Sequence, residues 1–267
     1  MKIAVIVTTY NRPAALEKVL QGLVQQTRQP DEIIIADDGS SDATRKTIAP
    51  FIHNYALNMA HVWQQDKGFR AAEIRNKTIL QSSSEYVVFL DGDCIPDKHF
   101  VSDHIKLAQQ GYFFQGKRVI VSKDSQKKFA FNDICSKYTL FKHALLFHLS
   151  NSHHIFRIPF FPAYTVKKLS GVRACNMGVF RKDLFAVNGF NQAFKGWGRE
   201  DSKIVARLYH LGIKRKEHPF KAVCYHLWHK EASRKGLDEN DRLLAEVIES
   251  GAYYCHSGMK QQKARNI

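Results

Sequence analysis

Nowhere does the sequence offer an apolar run approaching the roughly 20 residues that a membrane-spanning helix needs. It opens on a strand-like segment rather than a charged and then apolar leader, so a cytoplasmic location is expected. Paired cysteines are missing too. Cys94, Cys135, Cys175, Cys224 and Cys255 are odd in number, scattered, and without the close spacings of zinc or redox motifs, which predicts reduced and mostly buried thiols. Acidic residues are scarce, 25 against 40 Lys and Arg, and the formal charge is +15. A surface this basic attracts the phosphates of nucleotides, nucleic acid or anionic lipid alike, so charge alone does not choose a partner. Internal repeats and low-complexity linkers are absent, and 44% hydrophobic and 24% charged residues in a 267-residue chain are ordinary for a globular protein.

What is present is an alternation of strand and helix signals. Lys2 to Thr8 is a short β-branched run, followed by Pro13 and a helical pattern through Leu16, Val19, Leu20, Leu23 and Val24. Glu32 to Ala36 reads as a buried strand ending in Asp37-Asp38-Gly39-Ser40, after which Ser41 or Asp42 can cap a helix. His61 to Trp63 and Tyr86 to Leu90 read as the next strands, with a helix from Phe69 to Leu80 between them. This predicts a mostly parallel sheet covered on both faces, with ligands beyond the carboxyl ends of its strands. Residues 117–169 lack a dominant period and are expected to be irregular with helical stretches. Regularity returns in a helix from Asp201 to Leu211, a strand from Ala222 to Tyr225 and a helix through Leu243 to Ile248. The basic end, Lys260 to Ile267, is expected to fray.

The sharpest local feature is Asp91-Gly92-Asp93, which follows the apolar run Val87 to Leu90. Two carboxylates on a strand-to-loop corner, with glycine permitting close approach, can hold a hard divalent cation that bridges a diphosphate. Taken alone, the triplet reads more readily as an acidic turn, because Asp and Gly dominate turns. The preceding strand ends carry Thr8-Thr9-Tyr10-Asn11-Arg12-Pro13 and Asp37-Asp38-Gly39-Ser40-Ser41-Asp42. Three such loops in this order resemble the nucleotide half of the family 2 glycosyltransferases, and the resemblance implies a GT-A fold. It further implies base-binding roles for Thr8, Tyr10 and Asp38, and diphosphate and metal roles for Asp91 and Asp93. An aromatic that stacks on a base and a carboxylate that accepts from an imide N–H fit these roles. Asp66-Lys67-Gly68-Phe69-Arg70 and Ile74-Arg75-Asn76 resemble the family segment ahead of the metal motif. Arg75 is there open to two readings, binding ribose or diphosphate oxygens or pairing with a strand-end carboxylate.

Gly196-Trp197-Gly198-Arg199-Glu200-Asp201 resembles the acceptor-site signature of β-1,4-galactosyltransferases and chondroitin-polymerase-like enzymes. The resemblance implies that Asp201 is the general base, with Glu200 beside it, and that Trp197 and Gly196 contact the acceptor sugar. The chemistry agrees: an indole suits the apolar face of a pyranose, and a carboxylate can take a hydroxyl proton. The competing reading is a helix cap beside a core tryptophan. Related enzymes place a metal-binding histidine late in the chain, which makes His226, and after it His229, candidates to complete the shell of Mn2+ or Mg2+. Asn176 resembles a residue lining the donor-sugar and acceptor cleft.

The expected organisation is a GT-A catalytic domain over residues 1–230, with a nucleotide-sugar half over 1–115 and an acceptor half over 116–230. A helical extension and basic tail occupy 231–267. The expected activity is inverting transfer from a nucleotide-sugar donor, with uracil the base implied by the family, to a glycan or glycolipid acceptor of a bacterial surface polysaccharide or lipopolysaccharide. Basic and aromatic residues from Lys137 to Lys168 suit either a peripheral contact with anionic membrane or a helical lid with a solvated basic face. Two rivals remain. A sugar-nucleotide nucleotidyltransferase would carry a glycine-rich phosphate loop near its start, and Thr8 to Pro13 has no glycine. A nucleic-acid-binding module would account for the charge, but no such motif is present and nucleic acid is not an expected partner.

Overall fold

The computed structural model describes residues 1–158, 160–193, 198–230 and 237–260. The first half runs β1 (Ile3–Thr9), α1 (Pro13–Val24), β2 (Glu32–Asp37), α2 (Asp42–Asn54), β3 (Met59–Trp63), α3 (Ala71–Gln81), β4 (Tyr86–Asp91), β5 (Cys94–Pro96), α4 (Phe100–Leu107) and β6 (Tyr112–Gln115). It continues through β7 (Lys117–Val121), α5 (Phe131–Cys135), α6 (Lys137–Leu145), β8 (Leu149–Ser150), a 3-10 turn (Ser152–Ile155) and β9 (Tyr164–Val166). The last elements are β10 (Asn176–Phe180), α7 (Arg181–Ala186), α8 (Glu200–His210), β11 (Lys214–Glu217), β12 (Val223–Leu227) and α9 (Leu237–Ser250).

The strands β1, β2 and β4 are apolar on both faces because helices cover both sides of the sheet they form. Their side chains alternate with period two. Val5, Val7 and Val88 point to one core with Leu16, Val19 and Leu20 of α1, whereas Ile6, Val87 and Phe89 point to a second core with Ile74 of α3 and Ile204 and Leu208 of α8. Strand order is β3-β2-β1-β4-β10-β6-β11-β9. The pairings from β3 to β4 are parallel, as expected, but β10 runs antiparallel to both β4 and β6. The register sets Thr8 opposite Asp91 and Thr9 opposite Asp37, so the loops of interest leave the sheet side by side.

Residues 117–169 differ from the expectation of irregular structure. They supply β7, β8 and β9, and β7 lies at the heart of a second sheet, β5-β12-β7-β8. These strands are short, and their partners lie far away in sequence, so no local periodicity marks them. The antiparallel pairing of β12 with β5 sets His226 opposite Cys94, and Leu227 N–H donates to Asp93 O at 2.9 Å. That second sheet is what carries the late histidines to the acidic loop. The helix expected from Phe69 begins at Ala71, and the one expected near Leu243 begins at Leu237. Ser41 is the N-cap residue of α2 but its side chain makes no capping bond, and the helix contains Pro50. Cys135 is exposed, and the other four cysteines are buried free thiols. Among the described residues no helix is long and apolar enough to cross a membrane.

Candidate active site

The loops after β1, β2 and β4 line one cleft of about 950 Å³, together with the start of α8 and the end of β12. At one end Asp38 is buried, its Oδ1 accepting from Gln64 Nε2 at 2.6 Å and its Oδ2 from the Arg70 N–H at 2.7 Å. Burial pushes its carboxyl above the usual range despite these donors. Gly39 permits the close packing there: it has a φ of +96°, and a Cβ would stand 2.5 Å from Asp66 Cα. Tyr10 is 50% exposed over the cleft and donates from its hydroxyl to Asp66 Oδ2 at 2.9 Å. Asp37 faces inward to His61, 2.9 Å away, and accepts from the Ser40 N–H at 2.8 Å. Burial would raise its carboxyl, but these hydrogen bonds outweigh it and hold it low.

In the middle of the cleft stands Arg75, buried on α3. Its Nε donates to Thr8 Oγ1 at 3.2 Å, one terminal nitrogen to Asp91 Oδ1 at 3.3 Å and the other to Asp201 Oδ1 at 3.3 Å. The guanidinium also lies 5.4 Å from the centre of the Phe190 ring, which closes its apolar side. Of the two roles left open by its sequence, this contact set is the carboxylate-pairing one. Burial pushes Asp91 up to about 6, against the pull of Arg75 and with the added repulsion of Asp93. Gly92 donates its N–H to Thr8 O at 2.7 Å, and a Cβ there would stand 3.0 Å from that oxygen, so glycine lets the acidic loop fold back on β1.

Asp93, His226 and His229 offer ligand atoms that all lie within 4.8 Å of one another. His226 Nε2 is 3.6 Å from Asp93 Oδ1, and His229 Nε2 is 3.4 Å from Asp93 Oδ2. Burial, reinforced by Arg118 and His229, pushes His226 down to about 4 even with Asp93 beside it, which leaves a neutral imidazole. A carboxylate with two imidazoles is a donor set that suits a borderline to hard divalent cation, and the buried Nδ1 of His226 has no hydrogen-bond partner among the described residues. Arg12 forms an ion pair with Asp93 in the same place. The sequence reading passed over Arg12, although it stands inside the Thr8-to-Pro13 loop.

Asp201, in the first turn of α8, accepts from Arg75 and, through Oδ2, from the Ala174 N–H at 2.8 Å. Glu200 is buried beside it and accepts from the Gly198 N–H at 3.1 Å; burial and the Asp201 charge push its carboxyl up to about 7. Gly196 and Trp197 lie outside the described residues. Asn176 requires correction: it does not line the cleft. It is buried, donating to Lys117 O at 3.0 Å and Ala222 O at 2.7 Å, while its Oδ1 lies 3.0 Å from His104 Nε2. Its polar atoms thus tie the two sheets together. Arg118 and Arg173, which also line the cleft, went unnoticed in the sequence because no motif surrounds them.

A family model described as glycosyl transferase family 2 matches residues 4–173, and one described as the N-terminal domain of galactosyltransferase matches residues 153–230. The chain is 27% identical over 235 residues to validoxylamine A glucosyltransferase of Streptomyces hygroscopicus subsp. limoneus, covering 79% of this chain and 48% of that protein. To chondroitin synthase of Escherichia coli it is 27% identical over 231 residues, covering 79% of this chain and 32% of that protein. The chain therefore spans less than half the length of these curated relatives. Among solved structures, S. aureus TarS in complex with UDP-GlcNAc superposes with a TM-score of 0.64 at 18% identity, covering 92% of this chain and 66% of that one. Mannosyltransferase PcManGT from Pyrobaculum calidifontis, in complex with GDP-Man and Mn2+, gives 0.55 at 19% identity, covering 84% and 56%.

Proposed function

The chain belongs to glycosyl transferase family 2 and has the GT-A fold, and from that premise we propose that it is an inverting, metal-dependent transferase that moves a hexose or N-acetylhexosamine from a UDP-sugar to a hydroxyl of a glycan or glycolipid. One observation carries this reading: Asp38, the Asp93-His226-His229 cluster and Asp201 all line one cleft. Recognition of a base, of a diphosphate-bound cation and of an acceptor hydroxyl needs groups of these types on a single wall.

In the proposed reaction Asp38, Tyr10 and Thr8 hold the nucleoside. Asp93, His226 and His229, with Asp91 adjoining, would hold Mn2+ or Mg2+, which when bound offsets the charge on the diphosphate leaving group. Asp201 takes the proton of the acceptor hydroxyl as its oxygen bonds to the anomeric carbon. The bond from that carbon to the phosphate oxygen breaks on the opposite face, and its electron pair leaves with the nucleoside diphosphate. One displacement gives inversion. Arg75 and the Ala174 N–H fix the orientation of Asp201, so the carboxylate meets the hydroxyl with little rearrangement.

An acceptor at an anionic lipid surface, such as a precursor of a bacterial surface polysaccharide or lipopolysaccharide, is supported by the segment around α6. Phe147 is 90% exposed and Phe160 95%, with Tyr138 and Leu145 also in solvent and Lys137 and Lys142 close by in sequence. Aromatic side chains flanked by lysines suit insertion beneath anionic headgroups.

Calorimetric titration with uridine diphosphate, with and without Mn2+, tests the donor half on wild type and Asp93→Ala. Binding that depends on the cation and is lost in the variant is the expected result. A folded sample that fails to bind in either condition sinks the uridine reading.

A further inference from the structure

A second cavity of about 420 Å³ opens off the catalytic cleft and shares Arg118, Ile120, Gly171 and Arg173 with it. Its wall is strongly basic: Lys117, Arg118, Lys168, Arg173 and Arg215 line it against Glu217, the one carboxylate among the described lining residues. Burial pushes the lining His154 down to about 4, so it adds no charge near neutral pH.

Part of this charge is matched. Glu217 forms ion pairs with Lys117 and Arg215 and accepts from the Tyr164 hydroxyl at 3.2 Å, while Arg215 also donates to the carbonyls of Lys168 and Ser170, each at 2.9 Å. The side chains of Arg118, Arg173 and Lys168 have no ion pair or hydrogen bond among the described residues. Partial desolvation and the charge of Arg118 together draw Arg173 below the ordinary guanidinium range, against the opposing pull of Cys175 and Asp201.

The position of the pocket says which substrate it serves. Ala174, whose N–H donates to Asp201 Oδ2 at 2.8 Å, directly follows Arg173 in the chain. Tyr10 and Asp38, at the nucleoside end, line the main cleft but not this pocket. The basic wall therefore adjoins Asp201 and shares no residue with the nucleoside end, while Arg118 also lies within electrostatic reach of Asp91. Its volume lies in the lower part of the range for small-molecule sites, enough for one sugar residue.

We propose that this pocket is a subsite for an acceptor sugar carrying a carboxylate or a phosphate, which Arg118, Arg173 and Lys168 hold so that its hydroxyl meets Asp201. The assignment rests on the acceptor reading of Asp201. Guanidinium groups suit either anion, since both present paired oxygens to their parallel N–H donors.

The test is equilibrium binding of methyl β-glucuronide, glucose 6-phosphate and neutral methyl β-glucoside to the full chain in uridine diphosphate and Mg2+. At least one anionic sugar is expected to bind tenfold or more tightly than the glucoside; which of the two does so identifies carboxylate or phosphate. Arg173→Gln combined with Lys168→Gln should erase the preference, and Lys168→Gln alone should weaken it; both side chains are exposed, so the core is untouched. An anionic sugar that binds no better than the glucoside, or a preference that survives the double change, overturns the proposal. So does a comparable loss of uridine diphosphate affinity in the double variant, because the cations would then serve the donor diphosphate. Wild type that keeps the anionic preference but does not bind uridine diphosphate supports the anion site and sinks the donor reading instead.

Discussion

Arg75 and Asp201 are joined across 126 residues of sequence by a 3.3 Å hydrogen bond, and the same guanidinium holds Asp91 at 3.3 Å. One buried cation thus positions both the acidic loop after β4 and the carboxylate at the start of α8. Replacing Arg75 by Met leaves those two carboxylates without the buried cation that bridges them. We expect transfer to fall on the order of 100-fold and stability to drop by about 2 kcal/mol, part of the cost of a buried pair because both carboxylates are partly solvated. Arg75→Lys should lie between, since an ammonium keeps the charge but not the fork. Parallel measurement of kcat/KM and thermal melting decides it; activity that follows only the melting temperature refutes a positioning role.

Glu200 gives a pH signature. Its carboxyl is raised from 4.5 to about 7 by burial and by Asp201, with Arg75 and the Gly198 N–H opposing. A raised carboxyl favours folding in its protonated form. That stability is fully present below pH 4.5 and is lost as pH climbs through 7. Glu200→Gln removes the loss, so the melting temperature of the variant relative to wild type should rise between pH 5 and pH 8 by about 4 °C, equivalent to about 2 kcal/mol. An offset that does not change with pH excludes the effect.

Much of the first half was legible because each loop there follows a strand whose own residues announce it. Asp37-Asp38 and Asp91-Gly92-Asp93 end apolar runs, and parallel pairing of β1 with β2 and β4 then sets them side by side. The late histidines were legible only by resemblance. What brings His226 to Asp93 is the pairing of β5 with β12, strands of three and five residues far apart in sequence. Nothing local encodes such a contact. Asn176 misled for the related reason that a polar residue beside a cleft looks like a ligand until its burial between two sheets is seen. Arg118 stood in a segment with no motif, on a strand too short to show a period.

Arg12 and a divalent cation would need the same carboxylate, because the guanidinium is ion-paired to Asp93. Arg12→Gln should therefore tighten Mn2+ binding in the absence of nucleotide by roughly threefold to tenfold, the removal of about 1 kcal/mol of competition at a partly exposed pair. His226→Ala should weaken it more than His229→Ala, because His226 is the more buried of the two. Titration followed by the electron paramagnetic resonance of free Mn2+ reads both. Unchanged affinity in Arg12→Gln would mean that the arginine moves aside at no cost.

The exposed rings of Phe147 and Phe160 make the membrane reading measurable. Phe147 also sits at a φ of +56°, a backbone state unfavourable for a bulky residue, at the turn that follows α6. Insertion of both rings should add on the order of 3 kcal/mol to vesicle binding, so Phe147→Ser with Phe160→Ser should reduce cosedimentation with phosphatidylserine-containing vesicles by on the order of 100-fold. Lys137→Gln with Lys142→Gln should reduce it about 30-fold, at about 1 kcal/mol per surface charge, and only the attraction due to these lysines should fade with added salt. Binding to neutral phosphatidylcholine vesicles that equals the anionic case would leave the rings a role and deny one to the lysines. If neither pair of changes alters cosedimentation, this face does not dock on lipid.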